Sequence, residues 1–145
     1  MRYRMASAAL SLVGLFIALY LYLYQLGFVG TLVCGANAAC EQVQLSPYSK
    51  FLGLDVPLIG AGGYLTLLVL SLLALERPAE PRWPRLLRWL SGIGVGFTLY
   101  LTYVELFLIH AVCRWCVASA VIITLILGAA LLDRPGVCPS PPPPR

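Results

Sequence analysis

The sequence predicts an all-α integral membrane protein: a four-transmembrane-helix bundle with a long extracytoplasmic loop that carries a short amphipathic segment. Hydrophobic residues make up 60% of the 145 residues and charged residues only 11%, whereas a soluble domain carries about 25% charged residues. Four apolar runs approach or exceed the ~20 residues that cross a ~30 Å hydrocarbon core. The charges lie at the ends of these runs rather than in basic patches with aromatic platforms, so we expect no nucleic acid partner.

The four apolar runs cover residues 6–28, 56–75, 86–112 and 115–132. Together they predict one membrane domain over residues 1–132. The remaining residues, 133–145, form a proline-rich tail that ends in four prolines before the last arginine. Such a tail should be extended and unpacked.

The connection between the first two runs, residues 29–55, is the longest one, and loops of this length are usually functional or disordered. Its second half, SPYSKFLGLDVP, places several apolar side chains among few charges. We predict that this segment is amphipathic and lies on the bilayer surface or folds over the bundle.

Basic residues are distributed unevenly between the two sides of this topology. Eight of the ten lie at the termini, in the connection between the second and third runs, or at the start of the third. Only Lys50 and Arg114 lie in the other two connections. The positive-inside rule therefore predicts that both termini are cytoplasmic and that the first and third connections face outward.

The same topology separates the five cysteines. Cys34, Cys40, Cys113 and Cys116 lie at or beyond the outer membrane boundary, and Cys138 lies alone in the tail. Because disulfides persist in oxidising compartments and the cytosol keeps thiols reduced, this distribution is the one expected of a disulfide system. We assign no role to Cys138.

Cys113 and Cys116 form a C-R-W-C motif at the start of the fourth predicted helix. This spacing brings both sulfurs onto one turn, and the helix N-terminus and Arg114 both favour the thiolate, which is the attacking form. Thiol redox chemistry is our interpretation. A zinc site that adds the loop cysteines or His110 and an inert buried pair remain alternatives, and we assign no metal.

Cys34 and Cys40 are joined by the short spacer GANAA and can close a disulfide, as a structural staple or as a mobile redox pair. Since a second pair lies on the same side, we expect electrons to pass between the pairs by thiol–disulfide exchange. The chain has no visible flavin, haem or nicotinamide motif. A quinone dissolved in the membrane needs none, and it can meet Cys116 in a pocket between helices.

The order of these motifs resembles the vitamin K epoxide reductase family, in its stand-alone bacterial form without a fused thioredoxin-like domain. The resemblance covers residues 8–132 and rests on the C-x5-C loop, Ser46, PLIGAGGYL and YLTYVELFLIHAVCRWCVASA. It implies a four-helix bundle around a quinone, either menaquinone or ubiquinone, in a bacterial inner or plasma membrane. The implied activity is thiol:quinone oxidoreduction that reoxidises a separate thioredoxin-like periplasmic or extracytoplasmic protein and so drives disulfide formation.

The resemblance also implies a role for each site residue. Cys34 would receive electrons from the partner, and Cys40 would attack Cys113 to form a mixed disulfide. Cys116 would face the quinone, and Ser46 would lie near it on the segment that caps the bundle.

Two further residues bear on alternatives. Animal members have a tyrosine four residues after the last motif cysteine, and Ala120 stands there in this chain, which argues against reduction of vitamin K epoxide. Glu105 is an ionisable residue within a predicted span, which suggests a function. It is a candidate proton relay, or an interfacial side chain that snorkels or pairs with a neighbour. The alternative function is a non-catalytic four-helix membrane transporter or scaffold with structural disulfides, and Glu105 is the feature that favours a transporter.

Overall fold

The computed structural model of the protein describes residues 2–30 and 39–133. Within these residues four helices are long and apolar enough to cross a membrane. The third of these spans consists of an α-helix and the π-helix that continues it. They are α1 (Arg2–Gln25), α3 (Val56–Glu76), α4 (Arg82–Tyr103, extended by the π-helix Val104–Ile109) and α5 (Arg114–Leu132). The predicted four-helix membrane bundle is confirmed.

The helices form a closed ring in the order α1, α3, α4, α5, because α1 packs on α3 and α5 while α4 packs on α3 and α5. The centre holds aliphatic side chains such as Leu67, Leu87 and Ile126, each at most 2% exposed. Large apolar side chains also cover the outer faces: Phe16 and Leu99 are more than 60% exposed. In a bundle surrounded by lipid, exposure of such side chains is not unfavourable, because lipid tails are as apolar as the side chains.

At one end of the bundle, arginines from α1 and α4 bind the last turns of α3 and α5. Arg4 pairs with Asp133 at 2.8 Å and donates a hydrogen bond to the main-chain oxygen of Ala74. Arg88 donates to the main-chain oxygens of Ala130 and Asp133. Both guanidinium groups therefore satisfy carbonyls that have no partner within their own helix.

At the opposite end, the segment before α3 folds back over the bundle. Its elements are α2 (Ala39–Gln44), a 3₁₀ turn (Pro47–Ser49) and a hairpin of β1 (Lys50–Phe51) and β2 (Leu54–Asp55). Leu52 and Gly53 both have positive φ, at 53° and 82°, which gives the hairpin the two-residue turn that matches strand twist. The ring of Phe51 lies edge-on to the ring of Phe97 on α4, with 5.6 Å between the two ring centroids.

This arrangement agrees with the prediction that residues 46–57 fold over the bundle, although neither the short strands nor α2 was predicted. Residues 134–145 of the proline-rich tail, which include Cys138, lie outside the described residues, and so does Cys34.

Candidate active site

The site lies where α4 gives way to α5. The last turns of α4 widen into the π-helix, and His110 then takes a left-handed conformation with φ of 57°. The main-chain oxygen of Glu105 accepts a hydrogen bond from the N–H of Ala111 at 3.1 Å. Residues after this turn run extended, so that Cys113 becomes the N-cap of α5.

Cys113 is fully buried, and Cys116 is half-buried one turn later; both are free thiols. A hydrogen bond from the Cys116 thiol lowers the pKa of Cys113 from 9.0 to about 7, helped by the main-chain N–H groups of Cys116 and Trp115. Burial and the charge of Glu105 act in the opposite direction. The first cysteine of the motif is therefore the sulfur prepared for exchange, because exchange proceeds through the thiolate.

Cys40 lies on α2, is 1% exposed, and packs in one apolar cluster with Cys113, Leu21, Val43 and Ala111. Cys40 is disulfide-bonded. The structure thus brings three of the four cysteines named from the sequence to one place, with Cys40 in the same apolar cluster as Cys113, the motif cysteine that the resemblance made its target. The fourth, Cys34, is outside the described residues.

Glu105 is buried, at 5% exposure, and does not extend to the surface. Its Oε2 accepts a hydrogen bond from the main-chain N–H of Cys113 at 3.2 Å. The expectation that Glu105 snorkels to the interface is therefore wrong. The structure instead shows the alternative in which Glu105 pairs with a neighbour. This bond fixes the start of α5 to the π-helix and places a carboxyl group beside the redox motif.

Gln44 is a site residue that the sequence did not reveal. It is 5% exposed, and its Nε2 donates to the sulfur of Cys116 at 3.7 Å. Its Oε1 accepts from Nε2 of Gln25 at 2.9 Å. The only sequence signal is the four-residue spacing between Cys40 and Gln44, which has meaning only once a helix is known to begin at residue 39.

A cavity of about 360 Å³ lies between the four long helices, and Cys116 forms part of its wall. The wall is mainly apolar side chains and glycines, including Ile17, Leu21, Ile59, Gly60, Gly63, Leu67, Ile93, Phe97 and Ile123. Its polar groups include Gln44, Thr98 and a pair formed by Tyr64 and Ser119. The Tyr64 hydroxyl donates to the main-chain oxygen of Ser119 at 2.8 Å and lies 2.8 Å from its Oγ.

Ser46, expected from the resemblance to lie near the quinone, lines a second and smaller pocket of about 30 Å³ together with Cys116 and Glu105. Its hydroxyl donates to the main-chain oxygen of Val43 at 2.8 Å. The structure therefore places Ser46 next to the redox motif but not in the wall of the large cavity.

A sequence model of the vitamin K epoxide reductase family matches residues 5–131. The chain belongs to the vitamin K epoxide reductase family. As a member of that family, the protein is a membrane thiol–disulfide oxidoreductase.

Vitamin K epoxide reductase family proteins use quinone-type substrates. The cavity fits such a group, because ligand pockets span about 300–1,000 Å³ with apolar walls and few polar groups. Here a redox-capable sulfur stands in the wall of a cavity of about 360 Å³.

Proposed function

We propose that the protein is a membrane thiol:quinone oxidoreductase that reoxidises a separate thioredoxin-like extracytoplasmic protein and thereby drives disulfide formation. The observation that carries the proposal is the position of the C-R-W-C motif. Cys113 belongs to the same apolar cluster as Cys40 on one side, and Cys116 lines the large apolar cavity on the other. A single pair of sulfurs thus links the loop cysteine to a space of quinone size.

The relay begins when the two thiols of the reduced partner exchange with the loop disulfide that we assign to Cys34 and Cys40, so that the partner's own disulfide forms and Cys34 and Cys40 become thiols. The Cys40 thiolate attacks the sulfur of Cys113, the Cys113–Cys116 bond breaks, and Cys116 is released as a thiolate. Cys34 then attacks Cys40, which frees Cys113 as a thiolate and restores the loop disulfide. A pKa of about 7 at Cys113 favours this last step, because a less basic thiol leaves faster.

A quinone, menaquinone or ubiquinone, when bound, supplies an acceptor for two electrons and two protons. The chain contributes the cavity that holds it against Cys116 and excludes water. Re-forming the Cys113–Cys116 disulfide from the two thiolates releases two electrons, and the two protons taken up with them are those given up by the two thiols of the partner. We assign proton acceptance to the carboxyl group of Glu105, which lines the small pocket together with Cys116.

We further propose that the protein lies in a bacterial inner or plasma membrane with both termini cytoplasmic and the cysteine pairs outside. The charge distribution supports this orientation, because eight of ten basic residues fall on one side. The end of the bundle that holds Arg4 and Arg88 would then face the cytoplasm, and the hairpin and redox motif would face outward.

The transporter form of the alternative function depended on Glu105. Because that side chain is buried and bonded to the N–H of Cys113, its position is accounted for by the redox motif. We see no described feature that favours transport over thiol chemistry.

The test is quinone reduction by the purified full chain in detergent, with a reduced thioredoxin-like periplasmic protein as donor and quinone absorbance as the signal. Cys116→Ser should abolish turnover. Cys138→Ser is the matched control, because it makes the same substitution at the cysteine without an assigned role. Parental turnover in Cys116→Ser, or no turnover by the parent with menaquinone and ubiquinone, would refute the proposal.

A further inference from the structure

We propose that Gln44 is a catalytic residue that stabilises the Cys116 thiolate, and that Gln25 is its positioning residue. The inference rests on the function proposed above, in which Cys116 is the sulfur released toward the cavity. It concerns two side chains that belong to neither cysteine pair. Both are held by contacts that fix which atom of each amide faces which neighbour.

The orientation of the two amides follows from three distances. Nε2 of Gln25 lies 3.2 Å from the main-chain oxygen of Gln44 and 2.9 Å from its Oε1. A main-chain oxygen can only accept a hydrogen bond, so the atom of Gln25 that faces it must be the nitrogen. That nitrogen then requires an acceptor, and therefore the oxygen, on the facing side of the Gln44 amide. The nitrogen of Gln44 is left to face the Cys116 sulfur at 3.7 Å, as a donor.

The chemistry needs a donor at this position. When the Cys40 thiolate attacks Cys113, a Cys40–Cys113 bond forms, the Cys113–Cys116 bond breaks, and its electron pair stays on Cys116. The N–H groups at the start of α5 serve the sulfur of Cys113. A half-buried anion without a donor is unfavourable, whereas a hydrogen bond to a charged acceptor is about twice as strong as a neutral one. The Gln44 amide supplies such a bond to Cys116.

The placement of Gln44 also links the donor to the attacking sulfur. Cys40 and Gln44 are four residues apart on α2, so they lie on the same face of the helix. Cys40 shares one apolar cluster with Cys113, and Gln44 contacts Cys116. When α2 is docked, the nucleophile and the group that stabilises the leaving sulfur are therefore both in position. When α2 moves away, both are lost together.

The test measures how readily Cys116 forms a thiolate. In the full chain carrying Cys113→Ser and Cys138→Ser, with the loop disulfide kept oxidised, the rate of alkylation of Cys116 by iodoacetamide is followed by mass spectrometry. Gln44→Leu should lower that rate at neutral pH by about tenfold, the factor that corresponds to one unit of thiol acidity. Gln42→Leu is the matched control, because Gln42 is exposed on the same helix, and its rate should stay within about twofold of the parent.

A second variant keeps the proposal testable where Gln44→Leu does not fold. Gln25→Leu leaves the donor of Gln44 in place but removes its anchor, so alkylation of Cys116 should fall by less than in Gln44→Leu and in the same direction. Thermal unfolding in detergent identifies the variants that are folded. A parental alkylation rate in a folded Gln44→Leu or Gln25→Leu variant, or an equal fall in Gln42→Leu, would overturn the proposal. The readout needs neither quinone nor partner, so failure of quinone turnover in the parent would refute the proposed function separately.

Discussion

Filling the large cavity at Gly63 should block quinone reduction and leave thiol exchange intact. Gly63 lines the cavity from α3, and a Cβ built there meets no atom within 4 Å. Gly62 also has open space around such a Cβ, but it is exposed and does not line the cavity. Gly63→Leu and Gly62→Leu therefore make the same change on adjacent residues of one helix. Each also removes a glycine from a helix interior, which favours the helix by about 1 kcal/mol.

The size of the effect follows from the cavity volume. Counting each of the four carbons of a leucine side chain as roughly one water-sized group of ~30 Å³, the substitution fills on the order of 100 Å³ of a cavity of about 360 Å³. The remaining space falls below the ~300 Å³ at which ligand pockets begin. A displacement of the reacting group by about 1 Å costs about 100-fold in rate. We therefore expect kcat/KM for quinone to fall by about 100-fold in Gly63→Leu, or about 2.7 kcal/mol.

Two assays separate the steps. Quinone absorbance gives steady-state turnover, and oxidation of a stoichiometric amount of reduced partner without quinone gives thiol exchange alone. Gly63→Leu should lose the first and keep the second within about twofold, and Gly62→Leu should keep both. Parental quinone turnover in Gly63→Leu, or an equal loss in the two variants, would refute the assignment of this cavity.

Three further predictions concern other parts of the molecule. Alkylation of Cys113 in the reduced protein, followed by mass spectrometry across pH, should be half-maximal near its pKa of about 7 instead of 9.0, because the thiolate persists above that value and is protonated below it. Arg4→Met should lower the free energy of unfolding by about 3 kcal/mol, since it leaves Asp133 nearly buried without its partner; denaturant unfolding should show part of this loss recovered in the double variant with Asp133→Asn. Gly14→Ala should lower the free energy of unfolding by about 1–3 kcal/mol, because its Cβ would overlap a tyrosine ring of α3. Gly128→Ala should raise the free energy of unfolding by about 1 kcal/mol, because a Cβ at Gly128 meets open space.

Hydropathy was sufficient to locate the four long helices, because the bilayer sets both their length and their composition. It was less reliable at their ends. The first helix begins at Arg2, before the predicted start at residue 6, because Arg4 is buried against Asp133 at the far end of the chain. A charge counted along the sequence marks a membrane boundary, but a partner 129 residues away is visible only in the folded bundle.

In the candidate site too, the sequence predicted the local features but not those that depend on how the elements pack. The spacing of Cys113 and Cys116 predicted a dithiol at the start of a helix, because that relation is local. The contact between Gln44 and Cys116 depends on how α2 docks, which no local pattern specifies. Glu105 was noticed as an ionisable residue in a span, but the sequence did not distinguish the exposed side chain from the paired one. The π-helix that turns it toward Cys113 leaves no trace in hydropathy.

Arg4 and Arg88 have a consequence for how the protein is made. During insertion, unpaired arginines on either side of a span decide which way it enters the membrane. In the finished bundle the same two guanidinium groups bind the last carbonyls of α3 and α5. One pair of residues would thus act twice, first on the orientation of nascent segments and later on the cohesion of the assembled helices. Lysine at both positions would keep the positive charge that orients the segments but lose the forked guanidinium that binds the carbonyls. A double lysine variant with the parental orientation and a lower free energy of unfolding would therefore separate the two roles.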